Sequence, residues 1–259
     1  MAGQNEQVVE FSDENLERAV KKAMKKVEEP ISVREAVERK TLKLPNEGIE
    51  TIEGLQHFTS LKWLSLRSNK IADITAIKKM EKLEMLHLGG NEISSIEPLT
   101  SLTNLEVLML NFNKIADLTP LQDLDGLRKL DLSNNKIENI SSLASLDNLQ
   151  ELYLSNNKVK DVSSLARMRS LEKLDISSNQ VKSISSLFLL TNLEELDLSD
   201  NEISSISVLV DNFGLGRGDY IDMSRNRLDS SETSQDKNNV KKLKQRGVYI
   251  CFEPQKQRE

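Results

Sequence analysis

An asparagine returns every 22 residues in this chain, at Asn69, Asn91, Asn113, Asn135, Asn157, Asn179 and Asn201. Around each runs a frame close to L-x-x-L-x-L-x-x-N-x-I/V, as in Leu61-Leu64-Leu66-Asn69-Ile71-Ile74 and Leu127-Leu130-Leu132-Asn135-Ile137-Ile140. A short fixed period constrains folding severely. Each unit is too small to bury its own apolar side, so it must stack on its neighbours, and contacts run only between adjacent units.

A period of roughly 20–29 residues with this leucine pattern marks a leucine-rich repeat solenoid. The expected fold class is therefore an α/β solenoid, a horseshoe with a parallel β-sheet on its concave side. In each L-x-L pair the leucines point into the core and the residues between and beside them point out. The segments that follow, such as Ile-Ser-Ser-Leu and Leu-Thr-Pro-Leu, are too short for a full α-helix, so 3₁₀ turns and extended segments are expected on the convex side. A buried asparagine amide after the strand serves backbone groups of adjacent turns that the sheet leaves unpaired. The same role is expected at Asn226, which follows Asn201 by 25 residues.

The register divides the chain. Residues 1–10 are polar and expected to fray. Residues 11–41 read as a helical N-terminal cap. One helix, capped by Ser12 or Asp13, carries Leu16, Ala19, Val20, Ala23, Met24 and Val27 on its apolar face, and Pro30 stops it. A second, short helix starts at Ser32 with Glu35 as its capping-box partner. Residues 42–228 hold a degenerate opening turn, with Glu47 in place of asparagine, and about eight repeats, the last stretched by the glycine-rich segment from Phe213 to Asp219. Residues 229–259 read as a C-terminal cap and tail: a polar loop from Ser230 to Asn239, a basic helix from about Lys237 to Arg246, and a strand from Val248 to Phe252.

The formal net charge is −6, which disfavours a nucleic-acid partner. There is one cysteine, Cys251, so no intramolecular disulfide forms; an inert buried thiol is expected. No apolar leader and no long apolar run occurs. The expectations are a cytoplasmic, monomeric protein with no membrane partner; export by a non-classical route is the other possibility. His57 and His87 belong to no metal-ligating constellation, and no nucleophile–base pair is present, so no metal, no cofactor and no enzymatic activity is expected. Gly214-x-Gly216-x-Gly218 lacks the Lys-Ser/Thr of a phosphate loop.

The stretch Leu193-Glu194-Glu195-Leu196-Asp197-Leu198-Ser199-Asp200-Asn201-Glu202-Ile203 resembles the 22-residue repeat of bacterial internalins, and is similar to that of the cytosolic phosphatase-1 regulatory subunit. Phe11-Ser12-Asp13 with Leu16, Ala19 and Val20 resembles the internalin helical cap. The segment from Asn212 to Asp219, with Arg246-Gly247-Val248, resembles the closing segment of bacterial repeat proteins. The resemblance implies a non-enzymatic scaffold that binds a protein on its concave face. The alternative it implies is an adhesin or secreted effector acting on a host protein.

Within the register, the outward positions carry the specificity. Asp131, Asp175 and Asp197, with Ser133, Ser177 and Ser199, follow a default L-D-L-S frame and read as solvated filler. The departures are Trp63, Ser65 and Arg67; Met85, His87, Gly89 and Gly90; Val107, Met109, Asn111 and Phe112; and Tyr153. In register, Trp63, Met85 and Val107 form one column, and Ser65, His87, Met109, Asp131 and Tyr153 the next. Exposed Trp, Tyr and Met side chains are typical of interface cores. The expected partner-binding residues are therefore Trp63, Arg67, Met85, His87, Val107, Met109, Asn111, Phe112 and Tyr153. Glu151, Asp175, Glu195, Asp197 and Asp222 form an acidic flank.

Overall fold

A computed structural model describes residues 7–26 and 28–256 of the chain. Val27, and residues 1–6 of the terminus expected to fray, lie outside the described residues. The chain divides into two compact units, Met1–Ile115 and Ala116–Glu259.

In the first unit, helix α1 (Glu14–Ala23) begins where Asp13 accepts the Leu16 N–H at 3.0 Å. The other Asp13 oxygen accepts the Glu50 and Thr51 N–H groups at 2.7 and 3.2 Å, tying the helix start to the opening turn of the repeats. The helix buries Leu16, Ala19 and Val20, and Ala23 and Met24 are half-buried. Helix α2 (Val33–Glu38) starts with a reciprocal capping box between Ser32 and Glu35. Hydrogen bonds from Lys26 and from Ser32 hold the Glu35 carboxyl down, to a pKa of about 2.

Four parallel strands follow: β1 (Thr41–Lys43), β2 (Trp63–Ser65), β3 (Met85–His87) and β4 (Val107–Met109). Leu42 pairs with Leu64, Leu64 with Leu86, and Leu86 with Leu108. The sequence period and the strand register are thus the same 22-residue step. The central leucine of each strand is buried, as are Leu44, Leu66, Leu88 and Leu110 beyond them. Each such side chain contributes roughly 1.5–3 kcal/mol through burial. On the other side of the core, Leu55–His57, Thr75–Ile77 and Glu97–Leu99 are 3₁₀ turns.

In the second unit, strands β5 (Lys129–Asp131), β6 (Glu151–Tyr153), β7 (Lys173–Asp175), β8 (Glu195–Asp197), β9 (Tyr220–Asp222) and β10 (Tyr249–Cys251) pair in parallel, each with the next. The 3₁₀ turns recur at Thr119–Leu121, Ser141–Leu143, Ser163–Arg167 and Ser185–Leu189. The stretched repeat departs from them: Ser207–Asp211, one 22-residue step after Ser185–Leu189, forms a turn of α-helix, α3. Helix α4 (Gln235–Gln245) also starts earlier than the sequence suggests. The Ser234 hydroxyl accepts the Lys237 N–H at 3.1 Å and caps it, so the polar loop ends before Gln235.

The glycine-rich segment closes this unit. Asn212, fully buried, donates to the Leu187 and Leu190 carbonyls at 3.1 Å each. The Arg246 guanidinium donates to the Val210 and Asn212 carbonyls at 2.5 and 3.2 Å. Gly214 lies so close to the preceding turn that a Cβ there would sit 1.9 Å from the Thr191 carbonyl oxygen. These glycines and amides form a seam between backbone segments. No helix among the described residues is long and apolar enough to cross a membrane.

Candidate functional site

The outer sheet face is set by what happens after each strand. Asn69 donates to the carbonyls of Leu66, in its own repeat, and Leu44, in the previous one, at 2.8 and 2.9 Å. Its Oδ1 accepts the Glu47 and Ile49 N–H groups at 3.1 Å each. Asn91 and Asn113 repeat the bonds to both carbonyls in the first unit; Asn157, Asn179, Asn201 and Asn226 do so in the second. Asn135 is half-buried and donates to the Leu132 carbonyl at 3.0 Å. One amide thus fixes the turn and aims the residues just before it.

Those residues include a backbone position of unusual geometry. The residue ahead of each ladder asparagine has a positive φ, between 52° and 70° from Ser68 to Arg225. Left-handed backbone favours glycine and asparagine and disfavours bulky side chains. Most repeats comply, with Ser68, Gly90, Asn134, Asn156, Ser178 and Asp200. Phe112 and Arg225 do not; Phe112 has φ 55° and its side chain is 59% exposed. Such strain costs on the order of 1–3 kcal/mol, and an exposed ring recovers little of it by burial.

In the first unit the register stacks Trp63, Met85 and Val107 in one column and Ser65, His87 and Met109 in the next. Backbone bonds from Ser68 N–H to the Gly89 carbonyl and from Gly90 N–H to the Asn111 carbonyl, 2.8 Å each, carry the stacking onward. Arg67, Gly89 and Asn111 therefore form a third row, with Phe112 at its end. Gly89 leaves room there for the Asn111 side chain, whose Oδ1 would lie 2.3 Å from a Cβ at that position. That oxygen is buried and has no hydrogen-bond partner among the described residues. Trp63, Met85, His87, Val107 and Met109 are half-buried, and Arg67 is exposed. The Lys43 ammonium stands 3.3 Å over the Trp63 ring.

Tyr153 lies in the second unit, between Asp131 and Asp175 in the register. Its hydroxyl donates to Glu151 at 2.9 Å, and Glu151 pairs with Lys129 at 2.5 Å. Burial, then the Glu151 carboxylate, pushes the Tyr153 hydroxyl well above the ordinary phenol pKa. Lys173 pairs likewise with Glu195 at 2.6 Å. Two members of the expected acidic flank are thus neutralised by lysines.

The aspartates of the L-D-L-S frame are structural as well as solvated. Asp131, Asp175, Asp197 and Asp222 accept the N–H of Ser133, Ser177, Ser199 and Ser224 at 2.8–3.0 Å. Burial raises the Asp197 pKa, and the flanking Asp175 and Asp222 add to the effect. The Cys251 thiol is half-exposed, where burial was expected. Partial burial and Asp222 still push its pKa up, which keeps it a poor thiolate. Among the described residues, no group of three His, Cys, Asp or Glu side chains could hold a metal ion.

Within the first unit, sequence reasoning placed the columns as the strand register has them, because the period is constant. It missed Lys43, which the degenerate opening turn hides, and the left-handed geometry of Phe112, for which the small residues at sister positions were a usable signal.

The leucine-rich repeat family model, written as two copies per match, fits residues 81–123, 125–167 and 169–211. No curated protein matches the chain significantly. Among solved structures, internalin C2 from Listeria monocytogenes is 38% identical, with a TM-score of 0.74, over 77% of this chain and 89% of that one. The functional domain of InlJ, also from Listeria monocytogenes, has a TM-score of 0.61 at 21% identity, over 95% of this chain and 61% of that one; this likeness is one of fold. The leucine-rich repeat ectodomain of the plant receptor kinase GASSHO1/SCHENGEN3 from Arabidopsis thaliana, in complex with CASPARIAN STRIP INTEGRITY FACTOR 2, has a TM-score of 0.65 at 26% identity. That match covers 76% of this chain and 26% of the plant chain.

Proposed function

The chain belongs to the internalin-like leucine-rich repeat proteins, and from that membership we propose a non-enzymatic scaffold that binds a protein partner on the concave sheet face of its first unit. The carrying observation is Phe112. An exposed aromatic ring on left-handed backbone strains its turn and recovers little by burial, which favours a role in recognition. Trp63, Met85, Val107 and Met109 supply the adjoining apolar surface, and Arg67, His87 and Asn111 the polar contacts. Methionines suit such a surface because they repack around a partner at little cost. Tyr153, braced by Glu151, gives the second unit a rigid aromatic of its own. The plant ectodomain solved in complex with another factor supports recognition as a use of this fold.

Alanine at both Trp63 and Met109 is expected to abolish co-purification of the partner while leaving the circular dichroism spectrum unchanged. Undiminished co-purification by that variant would overturn the reading. A second reading, an exported effector or adhesin that acts on a host protein, is favoured by the 38% identity to internalin C2. It requires the protein in culture supernatant or at the cell surface, and fails if fractionation finds it only in the cytosol.

A further inference from the structure

The outward positions of the first unit are Thr41 and Lys43, Trp63 and Ser65, Met85 and His87, Val107 and Met109, continued by Arg67, Gly89 and Asn111. None is a carboxylate, in a chain whose net charge is −6. The corresponding strand positions of the second unit hold Asp131, Asp175, Asp197 and Asp222, and its lysines there, Lys129 and Lys173, are bound to Glu151 and Glu195. In the first unit, by contrast, Lys43 and Arg67 form no ion pair with a carboxylate among the described residues. Lys43 rests on the Trp63 ring at 3.3 Å, and Arg67 is exposed. Elsewhere in the unit Lys62 pairs with Glu84, Lys70 with Glu50 and Lys114 with Glu92. Cations left without counter-ions beside an apolar floor complement negative charge on a partner.

We propose that this face binds an acidic segment of a protein partner, an extended stretch in which carboxylates flank a bulky apolar side chain. The inference rests on the proposed function and names the chemistry of the partner. The carboxylates meet Lys43 and Arg67; the apolar residue sits on Met85, Val107 and Met109, with Phe112 against its side. Four strands about 4.8 Å apart span roughly 15 Å, the length of four or five extended residues. A short segment therefore covers the whole patch. Two cations on a largely apolar floor suit a peptide better than a polyanion, whose binding scales with the number of charges neutralised.

The test is selection of a random displayed-peptide library on the full chain. Recovered peptides should be enriched in Asp and Glu around an aromatic or aliphatic residue. A fluorescein-labelled peptide of the recovered consensus should bind the Lys43→Glu/Arg67→Glu variant at least about tenfold more weakly, and the Trp63→Ala/Met109→Ala variant likewise. Both cationic side chains reach into solvent, so charge reversal leaves the fold intact, checked by far-ultraviolet circular dichroism. Recovery of neutral or basic peptides, equal binding by the charge-reversed variant, or displacement by a single-stranded oligonucleotide would overturn the acidic-segment proposal. If in those cases Trp63→Ala/Met109→Ala still abolishes binding, the concave-face reading survives. If that variant binds normally, or the wild type selects no peptide, both fall.

Discussion

Two residues show how the repeat frame separates stability from recognition. Asn201 is fully buried, accepts the Val181 N–H at 2.9 Å and donates to the Ile176 and Leu198 carbonyls at 2.9 and 3.1 Å. Alanine there strands all of these groups. Each unsatisfied buried group costs about 1–3 kcal/mol, so Asn201→Ala should lower the unfolding free energy by about 3 kcal/mol or more in urea titration. Phe112 is the opposite case. Asparagine suits left-handed backbone, so Phe112→Asn should raise stability by about 1 kcal/mol while binding weakens. A variant that gains stability and keeps full affinity would remove Phe112 from the recognition face. The Asn ladder was legible in the sequence because every copy must solve the same backbone problem. The meaning of Phe112 was only half legible: its letter marked it as unusual, but φ and exposure are properties of the turn.

At the scale of elements, the caps and the aspartate column differ most from a simple reading of the pattern. Asp13 was legible as a cap for α1; its bonds to the Glu50 and Thr51 N–H groups were not, because they join residues 37 and 38 positions apart. Asp13→Ala should cost about 1 kcal/mol for the cap alone and speed amide exchange at Glu50 and Thr51, measured by hydrogen exchange. The L-D-L-S aspartates read as filler because their acceptor role depends on the backbone curling to bring the serine N–H within reach. Asp197 adds a pH signature. Its folded-state pKa is raised, so the folded state holds the proton more tightly than the unfolded chain does. Its contribution is most favourable at low pH and declines as pH rises through the raised pKa. Asp197→Asn keeps an acceptor for the Ser199 N–H without the charge. Its urea midpoint should exceed wild type at neutral pH, and the difference should vanish near about pH 3.

For the whole molecule, a single period fixes which side chains are core and which are face in both units. The outer faces then diverge in chemistry. The first carries Trp63, Met85, His87, Val107, Met109 and Phe112 with Lys43 and Arg67; the second carries structural aspartates, lysine–glutamate pairs and the braced Tyr153. A repeat protein can vary such faces freely, because stability resides in the leucines and asparagines beneath them. The closing segment at Asn212, Gly214 and Arg246 was legible by resemblance, but its contacts were not, because it interrupts the period instead of following it. The central claim is that the partner lies on the sheet face of the first unit. Site-specific photo-crosslinking tests it most directly, with a photoreactive phenylalanine analogue placed at Met85 in one variant and at the exposed Phe188, in the 3₁₀ turn Ser185–Leu189, in another. The account predicts a crosslinked partner from position 85 and none from position 188. A crosslink from position 188 with none from position 85 would contradict it.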